Sequence, residues 1–391
     1  MKILILSKDL KGLGLAHQLK KEGHTVHLYA PNHDLSEYKG IFEIVDRVNV
    51  ALQECKVVLA DSPDWGHIEK QANAYNRTII GSHKMLEVMN QDYIKRFDLM
   101  RKYGMKYAET VLFDDTGSVY KEILSKPKSR FVVRYKDKMY RCDYRDWVSW
   151  ALDKIPLNSR VAITTPTLGV NISATGWFDG FDWLDTFTVA PVLDSRVYDY
   201  AMVRPIKPNN RIAKELKKLT AFLRLVDYHG PISMKFFVNG GGFVVDDIYV
   251  GIQYPEIYTI ISSIRDDLGK FLVGVTVSSN YQVNPSNSYV ATVNSRMMGE
   301  ELVGAPVLGI NPSRLKHSVF HHVTHEDDKY IVTADKEIVA TATSFGATPE
   351  EASERCYNVI EHLRFPERHY DTTLLGTVAP TFTKLKELRI I

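Results

Sequence analysis

The chain has 391 residues, with 49 Lys and Arg against 47 Asp and Glu, 45% hydrophobic and 11% aromatic residues. That length suggests two to four domains and a core large enough to need no disulfide or metal staple. The formal net charge of +2 argues against a dedicated nucleic-acid binder, which would carry a strongly basic stripe. The three cysteines, Cys55, Cys142 and Cys356, are far apart, and no Cys-x-x-Cys or Cys/His spacing points to a zinc site. The apolar run from Met1 to Leu6 turns polar at Ser7-Lys8-Asp9 and is too short for a signal peptide or a membrane span, so a reducing, cytoplasmic setting is the simple reading.

Taken in chain order, Lys2–Leu6 reads as a buried parallel strand, followed by a loop with Gly12 and Gly14, a helix closed by Gly23, and a second strand over 24–29. This βαβ unit is the building block of a doubly wound sheet. A strand over 56–60, a helix over 68–75 and a strand over 78–80 complete a small α/β domain near residue 83. The spacing then predicts a helix over 84–103 ended by Gly104, and strands over 111–113, 131–134 and 161–165. Residues 172–190 alternate with aromatics and predict antiparallel hairpins turning at Asp179-Gly180. Further on come a helix over 209–227, strands over 231–238 and 243–248 joined by a glycine turn, and a helix over 257–273. The tail shows strands around 289–293, 317–323, 330–333 and 337–345, then a helix over 349–363 with Thr348 as its N-cap.

Three stretches give the chain a resemblance to a known family. They are Ile79-Ile80-Gly81-Ser82-His83-Lys84 through Tyr103-Gly104-Met105; Ser318-Val319-Phe320-His321 with Lys329-Tyr330-Ile331-Val332-Thr333; and Gly346-Ala347-Thr348-Pro349 through His369-Tyr370. In these the chain resembles the phosphoribosylamine–glycine ligases (glycinamide ribonucleotide synthetases) of the ATP-grasp group. The resemblance implies an α/β and α+β architecture. A Rossmann-like domain covers 1–83. An ATP-grasp domain of two α+β lobes covers 84–285, with a lobe over 110–190 inserted between 84–109 and 191–285. A C-terminal α+β domain covers 286–391. It also implies a reaction in which ATP phosphorylates a carboxylate and an amine attacks the acyl phosphate, with Mg²⁺ and cationic clamps holding the developing charge. The partners it implies are small-molecule amine and carboxylate substrates or a nucleotide, with no membrane, and a monomer or homodimer.

Position by position, the resemblance places Gly12 and Gly14 where a glycine-rich turn approaches a phosphate, beside Lys8 and Lys11. The nucleotide-contacting lysine of the opening helix falls at Tyr93, with Lys95 two residues on, a rotation of about 200° on a helix. Arg134 stands for the phosphate-binding cation at the end of its strand. The family's glycine-rich lid is replaced by Tyr135-Lys136-Asp137-Lys138-Met139-Tyr140-Arg141, a basic segment without glycine. Thr164 and Thr165 sit at the adenine hinge, and Asn171 stands where an acid is expected. Asp246 is the candidate Mg²⁺ ligand. Ile248 takes the place of the asparagine ligand, and strand alternation would turn Asp247 to the opposite face. Glu256 follows a turn, Gln253-Tyr254-Pro255, that has lost the family's glycine and aspartate. In the tail, Ala334-Asp335-Lys336-Glu337 and the turn 371–376 replace two substrate-contacting turns.

Two readings follow: a carboxylate–amine ligase with changed substrates, or a catalytically degenerate relative that binds a nucleotide or partner. A third, a single-stranded nucleic-acid binder, rests on aromatics between Tyr135 and Trp183 interleaved with Arg130, Arg134, Arg141 and Arg145. A fourth pattern, His317, His321, His322 and His325, resembles a metal cluster, but His321 matches a family position with no metal role.

Overall fold

The computed structural model describes residues 1–124, 130–192, 200–277, 281–326, 329–334 and 336–391. Asp335 of the tail turn and the side chain of Arg145 lie outside what it describes. Five strands open the chain: β1 (Lys2–Leu6), β2 (Thr25–Tyr29), β3 (Glu43–Ile44), β4 (Val57–Ala60) and β5 (Ile79–Ile80), parallel and in the order β3-β2-β1-β4-β5. All of β4 and all but the first residue of β1 are buried, which is why both read as unbroken apolar runs. Helix α1 (Leu13–Lys21) makes the crossover from β1 to β2. The two-residue β3 carries no periodicity and is invisible in the sequence.

The single helix predicted over 84–103 is two, α2 (Lys84–Asn90) and α3 (Tyr93–Lys102). Asp92 divides them: its backbone leaves the helical region and its carboxylate accepts from Ile94 N (2.9 Å), capping α3. Gly104 ends α3 at a positive φ of 61°, as expected.

A small lobe follows, with strands β6 (Thr110–Phe113), β7 (Phe131–Tyr135), β8 (Lys138–Cys142) and β9 (Val161–Thr164) in the order β6-β9-β7-β8. Helix α4 (Arg145–Leu152) packs Val148, Ala151 and Leu152 onto it. The stretch read as a basic segment is the β7–β8 hairpin, with Lys136 at φ 53° in its turn and Tyr135 opposite Lys138. The lobe's sheet ends at Thr164, so the lobe expected over 110–190 is shorter: β10 (Val170–Asp179) and β11 (Thr188–Pro191) belong to the main sheet.

The main sheet adds β12 (Tyr200–Pro205), β13 (His229–Asn239), β14 (Gly242–Val250) and β15 (Tyr289–Met297). Beyond these come β16 (Pro306–Val307), β17 (Ser318–Phe320), β18 (Val323–Glu326), β19 (Lys329–Val332), β20 (Ile338–Gly346) and β21 (Arg368–His369). Its order is β14-β13-β10-β11-β12-β15-β20-β17, with β21 beside β15, while β16, β19 and β18 form a separate small sheet. Because β12 pairs with β15, one sheet runs through the boundary expected at residue 285. The predicted helix over 257–273 is α5 (Glu256–Ser262) and α6 (Leu268–Val277), and that over 209–227 is likewise two short helices, Arg211–Lys217 and Thr220–Leu225. Two tail helices close the fold, α7 (Pro349–His362), capped by Thr348 as expected, and α8 (Leu374–Glu387). Among the described residues no helix is long and apolar enough to cross a membrane.

Candidate functional site

Two sequence-predicted residues meet where the small lobe faces the main sheet. Arg134, from β7, donates from Nη2 to Asp246 Oδ1 and from Nη1 to Asp247 Oδ2 (3.3 Å), both on β14. Arg96, from α3, grips Asp247 with two bonds, Nε to Oδ1 (2.7 Å) and Nη2 to Oδ2 (3.2 Å). Its remaining Nη1 donates to the carbonyls of Met89 (2.8 Å) and Asn90 (2.7 Å) at the end of α2. Asp247 also accepts from Tyr249 Oη (2.9 Å) and from Ile248 N (2.9 Å). The Tyr93 ring lies 4.3 Å from the Arg134 guanidinium carbon. Arg96, Arg134 and Asp247 are each at most 3% exposed, and Asp246 is 8%.

The expectation that Asp247 faces away from Asp246 is overturned. β13 and β14 slip register between Lys235 and Phe236: Lys235 stands opposite Asp247 and Phe236 opposite Val245, leaving Asp246 as the extra residue of a bulge. The local kink breaks the alternation and lets one arginine reach both carboxylates. Burial alone would raise the Asp247 carboxyl, but the Arg96 and Arg134 charges outweigh it and hold it below the ordinary carboxylate range. The same carboxylates raise both arginines against the opposing pull of burial.

This arrangement does not fit ATP phosphates or Mg²⁺. Two guanidiniums and two carboxylates sum to zero charge. Arg134 is committed to carboxylates, Asp246 to Arg134, and the apolar Ile248 (1% exposed) supplies no oxygen. Lys95, expected near the nucleotide, is instead exposed on the solvent side of α3, and the inward cation is Arg96. Thr164 is buried, 3.1 Å from Thr110 Oγ1, whereas Thr165 is exposed and bonds through its backbone to Glu109. Glu256 begins α5, partly buried; burial raises its carboxyl, opposed by Lys235, and it makes none of the cluster's bonds.

The glycine turn is also filled from within. Gly12 N (3.1 Å), Lys8 N (3.2 Å) and Ser7 Oγ all donate to the carboxylate of Asp61, which is buried at the end of β4. An anion does sit before α1, and it belongs to the protein. Burial raises this carboxyl and the three donors oppose the rise. Gly14 serves packing: a Cβ there would lie 2.6 Å from Tyr258 Oη and 2.7 Å from His321 Cε1.

Beside that turn lies a cavity of about 870 Å³, between the loop of Asp9 and Lys11, the start of α5, and the tail strands. His321 forms part of its wall. Thr341 Oγ1 donates to Asn294 Oδ1 (2.6 Å), so it accepts from His321 Nε2 (2.8 Å), which places the ring proton on Nε2. His321 Nδ1 is left as an acceptor 3.5 Å from Tyr258 Oη, whose proton goes to Lys11 O (2.8 Å). Burial, with His322 and His17 close by, holds His321 well below its usual range, so it is neutral. Tyr254 Oη is buried at the same wall with no hydrogen-bond partner among the described residues.

The histidines do not assemble a metal site. Among the described residues, the group with ligand atoms within 4.8 Å of one another is Glu22, His24 and Asp267, and there the amides of Gly269 and Lys270 already bond the two carboxylates. Nor do the aromatics form one platform: Trp177 and Trp183 are core, while Tyr144, Trp147 and Trp150 are exposed around α4.

No protein-family model and no curated protein matches the chain. Solved structures do. Phosphoribosylamine–glycine ligase of Thermotoga maritima superposes at TM-score 0.68 with 16% identity, covering 95% of this chain and 99% of that one. The biotin carboxylase domain of Hydrogenobacter thermophilus 2-oxoglutarate carboxylase, solved with MgADP, ADP and bicarbonate, gives 0.70 with 10% identity and 98% of both chains. An L-amino acid ligase of Bacillus licheniformis gives 0.62 with 12% identity, over 93% and 98%. The chain therefore has the ATP-grasp fold along almost its whole length.

Proposed function

We propose that this chain is a catalytically degenerate ATP-grasp-fold protein that binds a small polar molecule in the cavity beside the glycine turn and does not turn over nucleotide. The observation that carries this reading is the internal commitment of the groups a triphosphate would need: Arg134 to Asp246 and Asp247, and the amide of Gly12 to Asp61. The cavity, by contrast, keeps polar capacity. It has a neutral acceptor in His321 and, among the described residues, a buried hydroxyl without a partner in Tyr254. Its volume suits a metabolite-sized ligand, and its chemistry suits one with a hydroxyl or amine donor for His321 and an acceptor for Tyr254.

A panel of polar metabolites in a thermal-shift assay tests the reading, with ADP release measured in mixed amine and carboxylate pools. The reading expects a ligand whose stabilisation is lost in His321→Leu, and no ADP. The ligase reading keeps two supports, the full-length likeness to ligases and the raised carboxyl of Glu256 at the start of α5. ADP release dependent on an added amine and carboxylate would favour it.

A further inference from the structure

We propose that Arg96, Arg134, Asp246 and Asp247 act as a permanent latch that holds the small lobe against the main sheet, so that the two move as one body whether or not nucleotide is present. This goes beyond the assignment of a ligand to the cavity and stands on different atoms.

The latch draws on three separate elements. Arg134 rides on β7 of the small lobe, the carboxylates on β14 of the main sheet, and Arg96 on α3 between them. One backbone bond runs beside the side chains: Tyr93 N donates to Lys136 O (2.9 Å), joining the start of α3 to the β7–β8 turn. Tyr93 is the first residue of its helix, where the amide has no partner within the helix, so the lobe's carbonyl satisfies a donor that an open lobe would leave to water. The Tyr93 ring covers the Arg134 guanidinium from the same side.

The charges close on themselves. The group is neutral as a set, at most 8% exposed at any member, and Asp247 alone receives bonds from two arginines, a tyrosine and its neighbour's amide. Opening the lobe would pull Arg134 from both acids and leave Asp246 without its arginine, a state that buried ion pairs resist strongly. Arg96 is a positioning residue: by gripping Asp247 with a fork and tying it to the carbonyls that end α2, it fixes the carboxylate that Arg134 meets. The bulge at Asp246 supplies the second acid on the same side of the strand.

Amide hydrogen exchange at Tyr93 reads the latch directly, because its N–H bond crosses from helix to lobe. In the full-length wild-type protein without nucleotide, Tyr93 should be protected and its rate unchanged by ATP with Mg²⁺. In Asp247→Asn its exchange should rise about tenfold or more, while amides of β1 and β4 keep their wild-type rates as evidence that the fold is intact. An unprotected Tyr93 in the wild type would overturn the proposal, as would slowing by ATP with Mg²⁺ or an unchanged rate in a folded Asp247→Asn. Should Asp247→Asn not fold, the two wild-type measurements decide the matter. A mobile lobe without nucleotide binding would sink the latch and leave the cavity reading standing. A lobe that closes on ATP would sink both.

Discussion

Asp247 accepts five hydrogen bonds from four donor residues, and taking away its charge leaves two arginines facing a neutral amide. Breaking a buried pair in this way costs about 3–5 kcal/mol. Asp247→Asn should therefore lower the urea midpoint markedly at an unchanged m-value, whereas Lys95→Ala, on the exposed side of the same helix, should stay within about 0.5 kcal/mol of wild type. Histidines set a second expectation. Burial holds His17 and His322 down to about 4, so both are neutral in the folded chain through a range where the unfolded chain, with a pKa near ~6.5, takes up protons. A lowered histidine contributes stability that is present above ~6.5 and is lost as pH falls toward about 4. Unfolding titrations from pH 7 to 4 should show that loss, and His322→Gln should flatten its slope. A slope unchanged by that substitution would clear His322 of the role.

Elements show which features local chemistry specifies. Gly14 lets α1 approach Tyr258 and His321, and Gly14→Ala should cost about 1–3 kcal/mol by forcing that contact apart, measurable as a lower melting temperature. Asp92→Ala should cost about 1 kcal/mol through the lost cap of α3. Four of the five parallel strands of the first domain, the Asp179-Gly180 turn and the Thr348 cap were legible, because each depends on residues within a few positions of one another. The bulge at Asp246 was not, since it is a register slip between two strands and appears in neither sequence alone. Arg96 left a trace that could have been read: it shares the inward stripe of α3 with Tyr93, Phe97 and Met100, and a charge in an apolar stripe has to be paired. The hairpin of Tyr135–Cys142 was hidden by its charges, which suit a two-stranded edge as well as a loop.

The molecule as a whole keeps the ATP-grasp architecture while Arg134, Asp246, Asp247 and Asp61 are bonded within the protein. The main sheet joins strands from the middle and the tail of the chain, the small lobe folds over its β14 edge, and the α/β domain packs through α1 and its sheet against α5, α6 and the main sheet. That scaffold was recognisable in the residues of its packing segments. The departures from the resembled family's pattern were also legible, at Ile248 and in the segment 135–141 without glycine. What the sequence could not supply was the replacement, because an arginine and two aspartates more than 110 positions apart become partners only in the folded chain. Arg134 is already neutralised by Asp246 and Asp247, and the proposed lack of nucleotide turnover depends on that pairing. Calorimetric titration of the wild-type protein with ATP and Mg²⁺ tests this most directly. The prediction is no saturable heat up to millimolar nucleotide; a single-site isotherm with micromolar affinity, weakened by Arg134→Ala, would contradict it.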